Sequence, residues 1–153
     1  MQPHHSRVRL RAQPDRHQEP PPQLPLGHPG RGRVPGHHKA TLADCERVLG
    51  SDHPYTLASR NNLSLAYQEA GHLEQAIPLH EAALTTCERV LGPDHPDTLL
   101  SRNNLASAYH RTGDPQRAIP LFEAVLTSCE RVLGPDHPTT KAVAANLLSA
   151  RVT

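Results

Sequence analysis

Apolar and polar positions between residues 39 and 153 follow a helical period, stop, and start again in the same order. Ser59, Asn62, Leu63, Ala66, Tyr67 and Ala70 are spaced so that they share one face of a 3.6-residue helix, and Ser101, Asn104, Leu105, Ala108, Tyr109 and Thr112 repeat that spacing. A second run, Ala76, Ile77, Leu79, Ala83, Leu84 and Cys87, predicts a further amphipathic helix that ends at Leu91 before Gly92 and Pro93. Gly71 and Gly113 stand between the two helices, at the position just past a helix end where a left-handed backbone is wanted. The second helix opens at Leu73 or, after Asp114, at Pro115, a residue suited to a first helical position. So short a turn makes the pair antiparallel. Pro78 and Pro120 fall inside the second helix, where each removes one hydrogen bond and is expected to bend it.

Residues 50–91 and 92–133 agree at 27 of 42 positions without a gap, and a partial copy follows from Gly134. A fixed period of this size predicts stacked supersecondary units, and therefore an all-α array of helix-turn-helix repeats. Its parts are a partial repeat at 39–50, repeats at 51–92 and 93–134, and a second partial repeat at 135–153. The segment CERVLGSDHP from Cys45, returning as CERVLGPDHP from Cys87 and Cys129, is the joint: last helical turn, stop, next start. Pro54, Pro96 and Pro138 fit first-turn positions, and Asp52, Asp94 and Asp136 are expected to cap the helix or complement its positive end.

His53, His95 and His137 invite a metal reading, but with one in each joint they are expected to be loop and cap residues. Cys45, Cys87 and Cys129 are likewise copies of one position. Stacked helices lie roughly 10 Å apart, beyond the roughly 7 Å between Cα atoms that a disulfide tolerates, so these are read as structural thiols. No metal set and no cofactor is expected.

Residues 1–38 hold half of the 16 prolines and half of the 12 histidines, carry six arginines against Asp15 and Glu19, and show no helical or strand period. They are expected to be disordered. The Arg-rich part could touch nucleic acid, Pro20 to Pro25 could form a polyproline ligand, and a preceding repeat translated in the wrong frame, or from a mis-set start codon, would explain the same residues. No run approaches the roughly 18–20 apolar residues of a membrane span, and the N-terminus lacks the apolar stretch of a signal peptide, so a soluble cytoplasmic protein is expected.

The stretches NNLSLAYQEAGHLEQAIPLHEAAL at 61–84 and NNLASAYHRTGDPQRAIPLFEAVL at 103–126 resemble the tetratricopeptide repeats, in the 42-residue form found in kinesin light chains and in bacterial signalling proteins. The resemblance implies a short right-handed α-solenoid with a protein or an extended peptide in a concave groove lined by the first helices. Helical geometry then puts Ala58, Asn61, Leu65, Gln68 and Glu69 of one repeat, and Leu100, Asn103, Ser107, His110 and Arg111 of the next, along the groove. Arg60 and Arg102 are expected at its edge, and Asn62, Asn104 and Asn146 on the core stripe. The groove row differs between repeats at every position but Asn61 and Asn103; a diverged binding surface and free drift of exposed residues would both look like this.

The chain contains no Gly-rich phosphate loop, no convincing nucleophile with base and acid, and no metal-ligand cluster, so no enzymatic activity is expected. A protein-interaction scaffold is the first reading, as a monomer or as part of a longer array. A regulatory or sensor fragment of a larger signalling NTPase containing such repeats is the alternative, and nucleic-acid binding ranks third. Thr139 to Thr153 supplies only a first helix, expected to expose Val143, Leu147 and Leu148, which gives the chain the look of a fragment.

Overall fold

The computed structural model describes residues 35–153, which form six α-helices and, among these residues, no strand. They are α1 (Pro35–Leu49), α2 (Pro54–Glu69), α3 (Leu73–Leu91), α4 (Pro96–Arg111), α5 (Pro115–Leu133) and α6 (Pro138–Val152). Helix α1 begins four residues before the boundary placed at 39, so 35–38 are helical. The readings made for residues 1–34 lie outside the described residues.

The joints are built alike because their residues are alike. Proline opens α2, α4 and α6, and the residue before it is the N-cap: Nδ1 of His53, His95 and His137 accepts the N–H of Tyr55, Asp97 and Thr139 at 3.2, 3.1 and 3.2 Å. The histidines are thus the cap residues expected, and the aspartates beside them, also expected as caps, are not the N-caps. Asp52 and Asp94 are turned instead toward the end of their own repeat, where Arg89 and Arg131 each reach them at 2.6 Å. Between the paired helices, Gly71 (φ +83°) and Gly113 (φ +76°) take the left-handed conformation. There the N–H groups of His72 and Asp114 donate to the carbonyls of Tyr67 and Tyr109 at 2.9 and 3.0 Å, while Gly71 and Gly113 donate to Gln68 and His110. This double bond pattern satisfies carbonyls that a helix end would otherwise leave bare. Helices α3 and α5 continue through Pro78 and Pro120 without interruption.

Each helix packs on the one before and the one after, and α2 touches α4 as α4 touches α6, which is the α-solenoid expected. The second helix of each pair closes on the next first helix. Leu42 of α1 meets Leu63 and Tyr67 of α2 with Ala76 of α3. In the following unit Leu84, Leu105, Ala106, Tyr109, Ala118 and Phe122 join Leu147 and Ala150 in one cluster. Leu99, Val125, Cys129 and Val143 form a third. Burying each leucine contributes roughly 1.5–3 kcal/mol, so no one pair of helices holds the array alone. Val143 and Leu147, expected to be exposed, are 3% and 5% accessible because α5 covers that side of α6; Leu148 alone of the three remains exposed.

One inter-helix contact recurs with changed chemistry. The Lys39 ammonium lies 5.4 Å from the centre of the Tyr67 ring. Forty-two residues on, the Tyr109 hydroxyl donates to Glu81, and at the next step Arg151 donates to Glu123 at 2.6 Å.

Candidate functional site

The predicted groove residues fall into two groups, divided by repeat. In the first, α2 is covered by α1, α3 and α4, and three of the six predicted residues are enclosed: Arg60, Asn61 and Gln68 are each 8% accessible. Asn61 Nδ2 donates to Ser101 Oγ of α4 at 3.0 Å, and Cys87 Sγ lies 3.6 Å from the same hydroxyl. Arg60 donates to Glu46 at 3.0 Å and to Thr86 at 3.4 Å. These side chains hold helices together; Ala58 and Leu65 are half-buried, and Glu69 is exposed.

Gln68 meets a histidine with no exposure at all. His80 Nε2 lies 3.0 Å from Gln68 Oε1, so it is the donor, and Nδ1 has no partner. That arrangement suits only the neutral ring. Burial pushes the His80 pKa down to about 4.

The second repeat is more open. Arg102 donates to Glu88 at 2.6 Å, Ser107 is half-buried, His110 Nε2 lies 3.3 Å from Ser149 Oγ, and Arg111 is exposed. Asn103 differs most from its counterpart. The position of Ser101 is held by Val143 one repeat later, so the hydroxyl that Asn61 binds is missing, and Asn103 Oδ1 is enclosed without a hydrogen-bond partner. It lines a cavity of about 250 Å³ between α4, α5 and α6, walled by Leu99, Val125, Cys129 and Val143. At its edge Leu100, Val132 and Leu133 are 52%, 52% and 42% exposed.

Leu100 stood in the predicted row, while Val132, Leu133, Ala142 and Val143 were missed. The changes from Leu100 and Ser101 to Ala142 and Val143 were the signal, visible once the partial last repeat is aligned with the one before it. Of the adjacent asparagines on the core stripe, Asn104 is buried, whereas Asn62 and Asn146 are only half-buried.

The remaining chemistry is quiet. Burial raises the thiol pKa of Cys87 against a weaker lowering by its hydrogen bond to Ser101, and burial alone raises that of Cys129. Both therefore stay protonated and poorly nucleophilic. Among the described residues no group of three metal-ligating side chains converges, and no helix is long and apolar enough to cross a membrane.

The six helices define an α-solenoid of stacked helix-turn-helix repeats. The tetratricopeptide repeat model matches residues 36–85, 73–130 and 103–151, and the chain belongs to that family. Among solved structures, the nearly identical TPR-like repeats of a candidate kinesin light chain from Podosopora anserina are 32% identical, with a TM-score of 0.73 over 76% of this chain and 55% of that one. A methionine-substituted variant of the same repeats gives 31% and 0.73 over the same shares of the two chains. BtubC (BKLC) from P. vanneervenii, at 18% identity and a TM-score of 0.62 over 77% of this chain and 51% of that one, shares the fold. The chain thus spans about half the length of the structures it resembles. A comparison with curated protein sequences gives no match.

Proposed function

We propose that the chain is a non-catalytic scaffold that takes an extended peptide or a protein domain in a concave groove, chiefly along the α4 row Leu100, Asn103, Ser107, His110 and Arg111. The observation that carries this reading is the apolar patch of Leu100, Val132 and Leu133 around a cavity with one enclosed, unpartnered acceptor. An exposed apolar cluster with a few convergent polar groups is what a recognition surface needs. Arg111, exposed beside it, supplies charge at the rim, where it would affect the association rate more than the final affinity. Arg60, Asn61 and Gln68 tie α2 to its neighbouring helices.

The test is selection of linear peptides from a displayed random library on the full chain, followed by affinity measurement on variants. Leu100→Glu is expected to lower affinity at least about tenfold while circular dichroism stays unchanged, because a charge replaces an apolar contact. Undiminished binding by that variant, and by Ser107→Arg, would sink the α4 assignment.

A further inference from the structure

Two contacts recur within each repeat, and α1 and α6 each hold one half of both. The first is an ion pair. Arg89, at the end of α3, reaches Asp52 at 2.6 and 3.0 Å in the joint that opens α2, and Arg131 reaches Asp94 at 2.6 Å one repeat later. Asp136 is the next aspartate of the series; it is 98% exposed and meets Lys141 at 3.6 Å. Arg47 is the arginine of the series in α1, and it pairs with no joint: it lies exposed, 3.4 Å from Asp44 of its own helix. The joint before α6 thus carries the acid, and α1 the base, of the same bond. The second contact is the seam between a first helix and its own second helix. On α2 it runs through Arg60, Ser64 and Gln68: Arg60 reaches Thr86 at 3.4 Å, Gln68 meets His80 at 3.0 Å, and Ser64 between them has no exposure. The same steps on α6 are Ala144, Leu148 and Val152, on one helical face. Leu148 is 62% and Val152 87% exposed, because among the described helices α6 packs only on α5 and α4.

We infer that α1 of a second copy of this chain docks on the outer face of α6, standing in for a second helix and pairing its Arg47 with Asp136. Helix type supports this occupant: α1 ends in CERVLG as α3 and α5 do, so its register matches the seam that α6 offers. Its Asp44 stands where α3 turns Thr86 toward α2, with Thr41 and the exposed Val48 a turn to either side. Val48 therefore lies on the same face of α1 as the helix would present to α6. Charge supports it too, since the acid and the base that would meet are each exposed. Leu148 sets the spacing. It is larger than Ser64 and Ala106 at the equivalent fully buried positions, so the second copy stands toward the wider part of the roughly 8–10 Å range of helix separations. The contact is accordingly looser than those inside the chain. Because it joins two different faces, it does not close on itself but passes from copy to copy, extending the solenoid. Asp136, Leu148 and Val152 lie outside the groove row, so this inference is independent of the groove reading.

The experiment is analytical ultracentrifugation of the full chain from micromolar to millimolar concentration. The mean mass should climb past that of a dimer and keep rising with concentration, and it should fall as salt is raised, because the ion pair is exposed. Asp136→Arg and Arg47→Asp should each weaken association at least about fivefold with circular dichroism unchanged, since each brings like charges together. Mixed in equal amounts, the two variants should associate again as alternating copies, because every arginine then meets an aspartate. Leu148→Glu, which leaves both charges in place, should weaken association by about the same factor. Should that variant disturb helicity, the two charge reversals and their mixture decide the matter. A chain that stays monomeric throughout would overturn the inference. So would association that stops at a dimer, that none of the variants weakens, or that mixing the two charge variants does not restore. Each of these results leaves the groove reading standing, to be judged by Leu100→Glu.

Discussion

The two complete repeats, α2 with α3 and α4 with α5, have the same joints and different interiors. Where the first encloses His80 against Gln68, the corresponding positions in the second are Phe122 and His110; where the first uses Ser101 to satisfy Asn61, the second has Val143 in the place of that serine and Asn103 Oδ1 unpartnered. The backbone is indifferent to the exchange, because the first-helix caps and closing glycines do not change, although Asp114 and Pro115 cap and open α5 where His72 makes no side-chain cap of α3. A histidine accepts the first free N–H, a proline fixes the first turn, and a left-handed glycine closes the helix in both. Fold and interior chemistry are thus specified largely by separate residues, and that leaves the interior free to diverge between repeats.

The largest effect that would break the comparison is at Phe122. Its ring is 1% accessible and joins α4, α5 and α6 in the largest apolar cluster. Phe122→Ala should cost about 3–5 kcal/mol, a large part of the stability of a small domain, read from urea unfolding. His80→Ala should cost less, because the polar ring contributes less apolar burial.

The next effect is a pH dependence confined to the first repeat. The folded chain holds His80 neutral with a pKa of about 4, against an ordinary value of 6.5. Above pH 6.5 neither state binds the proton, and the stability is complete. As the pH falls from 6.5 toward 4 the unfolded chain takes up a proton that the folded chain refuses, and unfolding becomes easier by up to about 3 kcal/mol. Below 4 the loss levels off. Urea melts at pH 7 and pH 4.5 should show this slope in the natural chain and a shallower one in His80→Phe; equal slopes would locate the titration elsewhere.

The smallest effect sharpens the comparison. Gly71 and Gly113 have φ of +83° and +76°, and no atom lies within 4 Å of an added Cβ at either. Alanine there meets only the backbone penalty of the left-handed region, about 1 kcal/mol, and the cost should be the same at both sites. Thermal melts of the two variants that differed by much more than this would show that the joints are not equivalent.

The period, the breaks, the two helix types and their order were legible in the sequence because glycine, proline and the repeated joint act locally. The facing of α2 was not. A periodic stripe assumes one covered side, whereas α2 is covered by α1, α3 and α4, so its buried arc spreads to take in Arg60, Asn61 and Gln68. One helical step of about 100° separates Asn61 from Asn62, and only the neighbouring helices decide which of them is enclosed. The N-cap was legible as one of two residues, His53 and Asp52 both being expected to cap; a proline in the first turn makes the residue before it the cap, which is His53.

The uniform joint also bears on how such a chain can change length. Because 42 residues separate each structural position from its copy, excising any stretch of that length within the array splices one helix onto its own counterpart, with the turn count, cap and closing glycine all kept. Adding a stretch of the same length does the same in reverse. Genetic gain or loss of a unit therefore reads as a change in the number of like-shaped bricks, and what selection has to repair afterwards is only the fit between neighbouring interiors.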